Sequence, residues 1–169
     1  DGLTLDITGT AHLWSDEPAM LADMRDRLDR AGFAVRIGLA DTRGAAWALA
    51  RHGEGIAAPG AGLATLTDLP VAGLRLDAET VIALQRLGLR TIGALAGAAR
   101  APLARRFGPE LLRRLDQATG ALPEPVTPLA DPPHYAARMT LPDPIGLTAD
   151  VMAGTARLLD ALCRKLAAQ

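Results

Sequence analysis

Aromatic side chains are almost absent from this 169-residue chain, which holds two Trp, two Phe and one Tyr. A core must therefore be assembled from Leu, Ala, Val and Ile. Cysteine occurs once, at Cys163. That excludes a disulfide framework, leaves no cysteine pair for a structural zinc, and fits a reducing compartment. His12, His52 and His134 have no ligand spacing either. No apolar run is long enough to span a membrane, and no basic-then-apolar signal opens the chain. A phosphate-binding P-loop, a nucleophile elbow and a dinucleotide fingerprint are all missing. The net charge of −1 excludes a uniformly basic nucleic-acid binder. These absences leave a soluble cytoplasmic protein, or a piece of one, without membrane contact and with no resident cofactor expected.

What is present is a segregation of charge. Residues 1–30 hold seven acids against three arginines. Residues 86–115 hold Arg86, Arg90, Arg100, Arg105, Arg106, Arg113 and Arg114 against Glu110 alone, a local charge of +6. Such asymmetry points to a polyanionic partner.

Three segments follow from the pattern of apolar residues. In residues 1–61, Leu3, Leu5 and Ile7 alternate with Thr4, Asp6 and Thr8, which predicts a half-buried strand ending at Gly9. Ser15 or Asp16 caps a helix with Pro18 in its first turn and Met20, Leu21, Met24 and Leu28 along one face. "FAVRIGLA" predicts a second strand, and Thr42 caps the Ala-rich helix "RGAAWALAR", narrow enough to pack closely on a sheet. Trp14 and Trp47 read as packing residues. Residues 62–120 read as short helices joined by glycine turns, with Thr67, Asp77 and Thr91 as caps and Val81, Leu84 and Leu87 on one buried face. Residues 121–135 carry five prolines, which predicts a stiff extended linker. Residues 136–169 predict a strand, "AARMTLPDPIG", and a helix from about Thr148 whose stripe of Val151, Leu158, Leu159, Leu162 and Leu166 also holds Cys163 as a buried thiol. One strand and one helix cannot bury that stripe alone, so the chain is expected to be truncated at both ends.

In this order the segments resemble the Y-family (translesion, DinB/ImuB-like) DNA polymerases from mid-palm onward, and most closely the catalytically inactive ImuB-like branch. "DGLTLDITG" matches the family's metal-bearing strand, "IGLADTRGAAWALAR" its strand and Ala-rich helix, and "LRLDAETVIALQRLGLRTIGALAGA" with "LARRFGPELLRRLDQATG" its helix-hairpin-helix elements. The resemblance implies an α+β chain. Its parts would be a partial palm over 1–61 (strand-helix-strand-helix, a ferredoxin-like remnant), a small helical thumb over 62–120, the linker, and the start of a little finger from 136.

The departures from the family pattern decide the functional expectation. Active relatives place two adjacent metal-ligating carboxylates where this chain has Asp1 and Gly2. Two-metal phosphoryl transfer needs several carboxylates, and Gly2 supplies none. Asp1 is thus a degenerate remnant, Asp6 matches a structural aspartate, and magnesium is implied only if an active polymerase with altered ligands holds. Arg51 and His52 stand near the family's triphosphate-binding lysine. For DNA, the resemblance and the charge together nominate Arg86, Gly88, Arg90, Gly93, Arg105, Arg106 and Gly108: glycine turns let backbone approach a phosphate, and arginines neutralise it. Asp77, at the first hairpin, would repel one. The resemblance implies a non-catalytic adaptor in translesion synthesis and SOS-type repair, bacterial and nucleoid-associated. It would bind primer-template DNA and meet an error-prone polymerase and the sliding clamp through regions outside this chain. The alternatives are that active polymerase, or a ferredoxin-like ligand-binding regulatory domain.

Overall fold

The computed structural model describes residues 2–129 and 136–167. Asp1–Pro125 and Val126–Gln169 form two compact units.

The first unit is organised around an alanine-rich helix, α2 (Arg43–His52). Thr42 starts it, accepting the Ala45 amide at 3.1 Å in an extended conformation that suits a helix cap. Ahead of it lies α1 (Glu17–Arg30). There Asp16 accepts the Ala19 amide at 2.8 Å, and Pro18 sits where a missing N–H costs nothing. α2 links two strands, β1 (Gly38–Leu39) and β2 (Gly55–Ile56), which pair in parallel with Gly38 opposite Gly55. β1 lies directly on α2: a Cβ on Gly38 would fall 2.5 Å from the Ala46 carbonyl oxygen. From another side, a Cβ on Gly44 would meet the Ala118 Cα at 2.8 Å. Small residues on α2 thus allow backbone-to-backbone approach, and Ala45 and Ala48 are fully enclosed.

The rest of the unit is helical: α3 (Gly62–Leu66), a 3-10 turn (Val71–Leu74), α4 (Ala78–Arg86), α5 (Ile92–Ala96), α6 (Arg100–Phe107) and α7 (Pro109–Thr119). Asp77 and Thr91 cap α4 and α5 through the Thr80 and Ala94 amides. Leu66, Val71, Leu74, Leu84, Ile92, Leu95, Leu103, Leu111 and Leu115 join Ala45 and Ala48 in one core. Residues on both sides of position 61 therefore share a single hydrophobic interior, built from aliphatic side chains as the shortage of aromatics demands.

Past α7 the proline-bearing chain is irregular over residues 121–129, yet Glu124 anchors it. Its carboxylate, 8% exposed, accepts both Arg75 terminal nitrogens at 2.7 Å, with Arg114 at 3.5 Å and Arg43 at 3.6 Å. The Arg75 hydrogen bonds hold it below the usual carboxylate range against the opposing effect of burial. The second unit consists of residues without regular structure and α8 (Thr148–Ala167), where Lys165 Nζ donates to the Ala136 carbonyl at 2.8 Å.

Several local expectations fail for physical reasons. Residues 2–9 form no strand; Leu3 is 82% exposed, and no neighbouring strand among the described residues supplies hydrogen-bond partners. The strand expected over 33–40 shrinks to β1, and 136–146 forms none, for the same reason. The expected strand-helix-strand-helix order is therefore α1-β1-α2-β2, still an α+β chain. Thr67 ends α3 rather than opening a helix, its hydroxyl donating to Leu63 O at 2.9 Å. Leu87 is largely exposed beyond the buried face of α4. Trp47 is half-buried, with the Arg51 guanidinium 4.6 Å from its ring centre, instead of joining the core. Cys163 is exposed on α8, not buried. Asp1 and His134 lie outside the described residues.

Candidate nucleic-acid interface

The basic segment spans α4 to α7, and the fold sorts its seven arginines into two groups. Arg100, on the first turn of α6, meets Asp116 of α7 through two hydrogen bonds of 2.9 and 2.6 Å. Arg113 and Arg114 both reach Glu110, one turn back on α7, and Arg114 also approaches Glu124. These three charges are spent inside the protein, and the arginines hold Glu110 below the usual carboxylate range. Arg86, Arg90, Arg105 and Arg106 are exposed and meet no carboxylate among the described residues. Arg86 and Arg90 flank the α4–α5 turn. Arg105 and Arg106 occupy the last turn of α6, with Arg106 5.7 Å from the Phe107 ring centre.

The glycines of these turns do different things. Gly88 has φ +83° and ends α4 in a Schellman arrangement: its amide donates to Gln85 O and the Leu89 amide to Leu84 O, both at 3.0 Å. The Arg90 amide donates to Gly88 O at 3.1 Å. All three amides of this turn are consumed, so a phosphate there would be held by arginine side chains and not by backbone. Gly108 (φ +77°) separates α6 from α7. Its own amide donates to Ala104 O, but α7 begins at Pro109 with no side-chain cap, leaving the amides of its first turn without helical acceptors beside Arg105 and Arg106. Gly93 stands apart. Its amide donates to Thr67 O at 3.0 Å, and a Cβ there would lie 2.6 Å from Thr67 Cγ2, so it serves close packing of α5 on the end of α3. Asp77 fills the start of α4 with its own carboxylate, lowered by the Thr80 amide.

At the other end of the unit, a Cβ on Gly2 would make ordinary contact with Trp47 at 3.6 Å, so crowding does not explain a glycine there. Asp6 accepts the Thr8 amide at 2.9 Å and closes a local turn. No group of three His, Cys, Asp or Glu among the described residues could hold a metal ion. These residues do not fit a pair of divalent cations: Gly2 has no ligand atom and Asp6 serves its own backbone. Sequence reasoning passed over Arg36 and Arg75, which face Trp47, Arg51 and His52 across an open hollow. The one local signal was Trp47 and Arg51, one helical turn apart.

The chain is 45% identical over 171 aligned residues to the protein called Protein ImuB in two strains of Caulobacter vibrioides, NA1000 / CB15N and ATCC 19089 / CIP 103742 / CB 15. The alignment covers 100% of this chain and 37% of each relative, so the chain spans little more than a third of their length. No family model and no solved structure matches.

Proposed function

This chain is ImuB-like along its whole length, and from that premise we propose that it is a DNA-holding part of a non-catalytic Y-family polymerase homologue acting in damage tolerance. The observation that supports this reading is the sorting of arginines. Within one basic segment, three guanidiniums are neutralised by Asp116, Glu110 and Glu124, while Arg86, Arg90, Arg105 and Arg106 stand free at two helix-ending turns. Unneutralised arginines at a surface bind phosphates and release condensed counterions.

In this reading, residues 1–61 are the remaining palm, 62–120 the thumb, 121–135 the crossing linker and 136–169 the start of the little finger. α4–α5 and α6–α7 are its helix-hairpin-helix elements. Gly88 and Gly108 shape the turns, the four free arginines carry the phosphate contacts, and Gly93 belongs to the packing. Gly2 in place of a ligating carboxylate favours an adaptor over a polymerase. Contacts to an error-prone polymerase and a sliding clamp would be made elsewhere in the longer protein. The two-residue strands of the sheet speak against the ferredoxin-like regulatory alternative.

Titration of a fluorescent primer-template DNA by anisotropy, across a salt series, tests the reading. The expected result is affinity that falls steeply with salt, and a log–log slope reduced by about one to two in Arg105→Ala/Arg106→Ala. No binding at low salt would overturn it.

A further inference from the structure

Beside α2 lies an open hollow of about 460 Å³ whose lining includes Arg36, Trp47, Arg51, His52, Arg75 and Leu76. No carboxylate lines it, although the chain as a whole carries a net charge of −1. The basic groups come from three places in the chain: the residues before β1, the last turn of α2, and the residue after the 3-10 turn. Arg36 and Arg51 form no ion pair among the described residues. Arg51 is already oriented by stacking on Trp47 at 4.6 Å. Arg75 is anchored by Glu124 through its terminal nitrogens, while its Nε is buried without a partner. The local field is positive: His52 is held below the usual histidine value, first by burial and then by Arg36 and Arg51. None of these residues belongs to the basic segment between α4 and α7.

We infer that this hollow is a second phosphate contact, in which Arg36 and Arg51 hold a phosphodiester of a nucleic-acid backbone. Two guanidiniums on separate elements, facing an open trough, suit a chain of phosphates passing through. A nucleoside triphosphate shares the phosphate chemistry but arrives with a divalent cation, for which the lining offers no carboxylate. Trp47 serves as the platform that orients Arg51, since one face of its ring is already covered by that guanidinium. The inference rests on the proposal that this chain binds DNA, and adds a contact outside the helical turns.

The test uses the full chain and two double variants, Arg36→Ala/Arg51→Ala and Arg105→Ala/Arg106→Ala, with melting curves to establish that each folds. Neither Arg36 nor Arg51 contributes an ion pair, so their removal should leave the melting temperature within a few degrees of the parent. Primer-template DNA is titrated by anisotropy across a salt series. Separately, Trp14→Phe leaves Trp47 as the only indole, and its emission is followed on adding DNA or magnesium-free nucleoside triphosphate. The expected result is a loss of about tenfold in DNA affinity and a salt slope smaller by about one to two in Arg36→Ala/Arg51→Ala. Trp47 emission should change with DNA as Arg51 shifts onto phosphate. An unchanged slope in that variant overturns the inference. So does a Trp47 response to triphosphate with DNA binding unaffected, which would mark a nucleotide site. If Arg36→Ala/Arg51→Ala weakens DNA binding while Arg105→Ala/Arg106→Ala does not, the hollow stands and the helical-turn reading falls. Absence of DNA binding by the parent chain removes both.

Discussion

Thr42 and Ala118 are joined by a hydrogen bond of 2.8 Å, the Thr42 hydroxyl donating to the Ala118 carbonyl across 76 residues of chain. The same oxygen accepts the Ala45 amide, so one side chain caps α2 and ties it to the last turn of α7. Two residues on, Gly44 rests directly against Ala118. Thr42→Val keeps the shape but removes both bonds and should cost about 2 kcal/mol, whereas Thr42→Ser should lose less than half of that. Urea unfolding of the two variants measures the difference, and equal losses would refute the double role.

Backbone contact between β1 and α2 makes Gly38 intolerant of any side chain. Gly38→Ala places a methyl 2.5 Å from the Ala46 oxygen and the Ala50 nitrogen. We expect destabilisation of about 3 kcal/mol or failure to fold, with Gly2→Ala, which meets only open space and Trp47, close to neutral. Thermal melting of both variants decides it.

Stability should weaken on the acid side through Glu124. Its folded pKa lies below the unfolded one, so its contribution is complete above the unfolded value of about 4.3 and is lost as pH falls through the folded value. Glu124→Gln leaves Arg75 half-buried without its carboxylate and should cost about 2 kcal/mol at neutral pH. It should also flatten the dependence of stability on pH below about 5. Parallel pH profiles for parent and variant would show whether the slope changes.

Within the basic segment, the ion pairs predict unequal effects on DNA binding. Arg86→Ala/Arg90→Ala should lower the salt slope by about one to two, as for Arg105 and Arg106. Arg100→Ala should barely change it, because Asp116 already neutralises that guanidinium. A loss at Arg100 equal to that at Arg86 and Arg90 would mean that the pairing does not govern which arginines meet phosphate.

Cys163 is exposed on α8. A thiol-specific chromogenic reagent should therefore modify it fully in the native chain without denaturant, as followed by absorbance. Modification only after unfolding would show that its surface is covered.

Much of the local structure was legible before any fold was known. Asp16, Thr42, Asp77 and Thr91 cap the helices that their spacing announced, and Pro109 opens α7. Each of these depends on contacts within four residues, which sequence alone specifies. The strand expected over 1–9 failed because a strand depends on a partner for its backbone, and alternation of Leu3, Leu5 and Ile7 cannot supply one. The basic segment was visible as well, but not which of its charges are free. Arg100 finds Asp116, 16 residues away, and Arg75 finds Glu124, 49 residues away.

The sequence by itself determined an aliphatic core, the helix starts, the charge segregation and the missing carboxylate at Gly2. Only the tertiary structure decided that Gly93 packs on Thr67, that the Gly88 turn spends its amides inward, and that Arg36 meets Arg51 across a hollow. The division follows from range: capping and composition act within a turn of helix, whereas the pairing or freedom of a charge depends on which distant residue packing brings beside it.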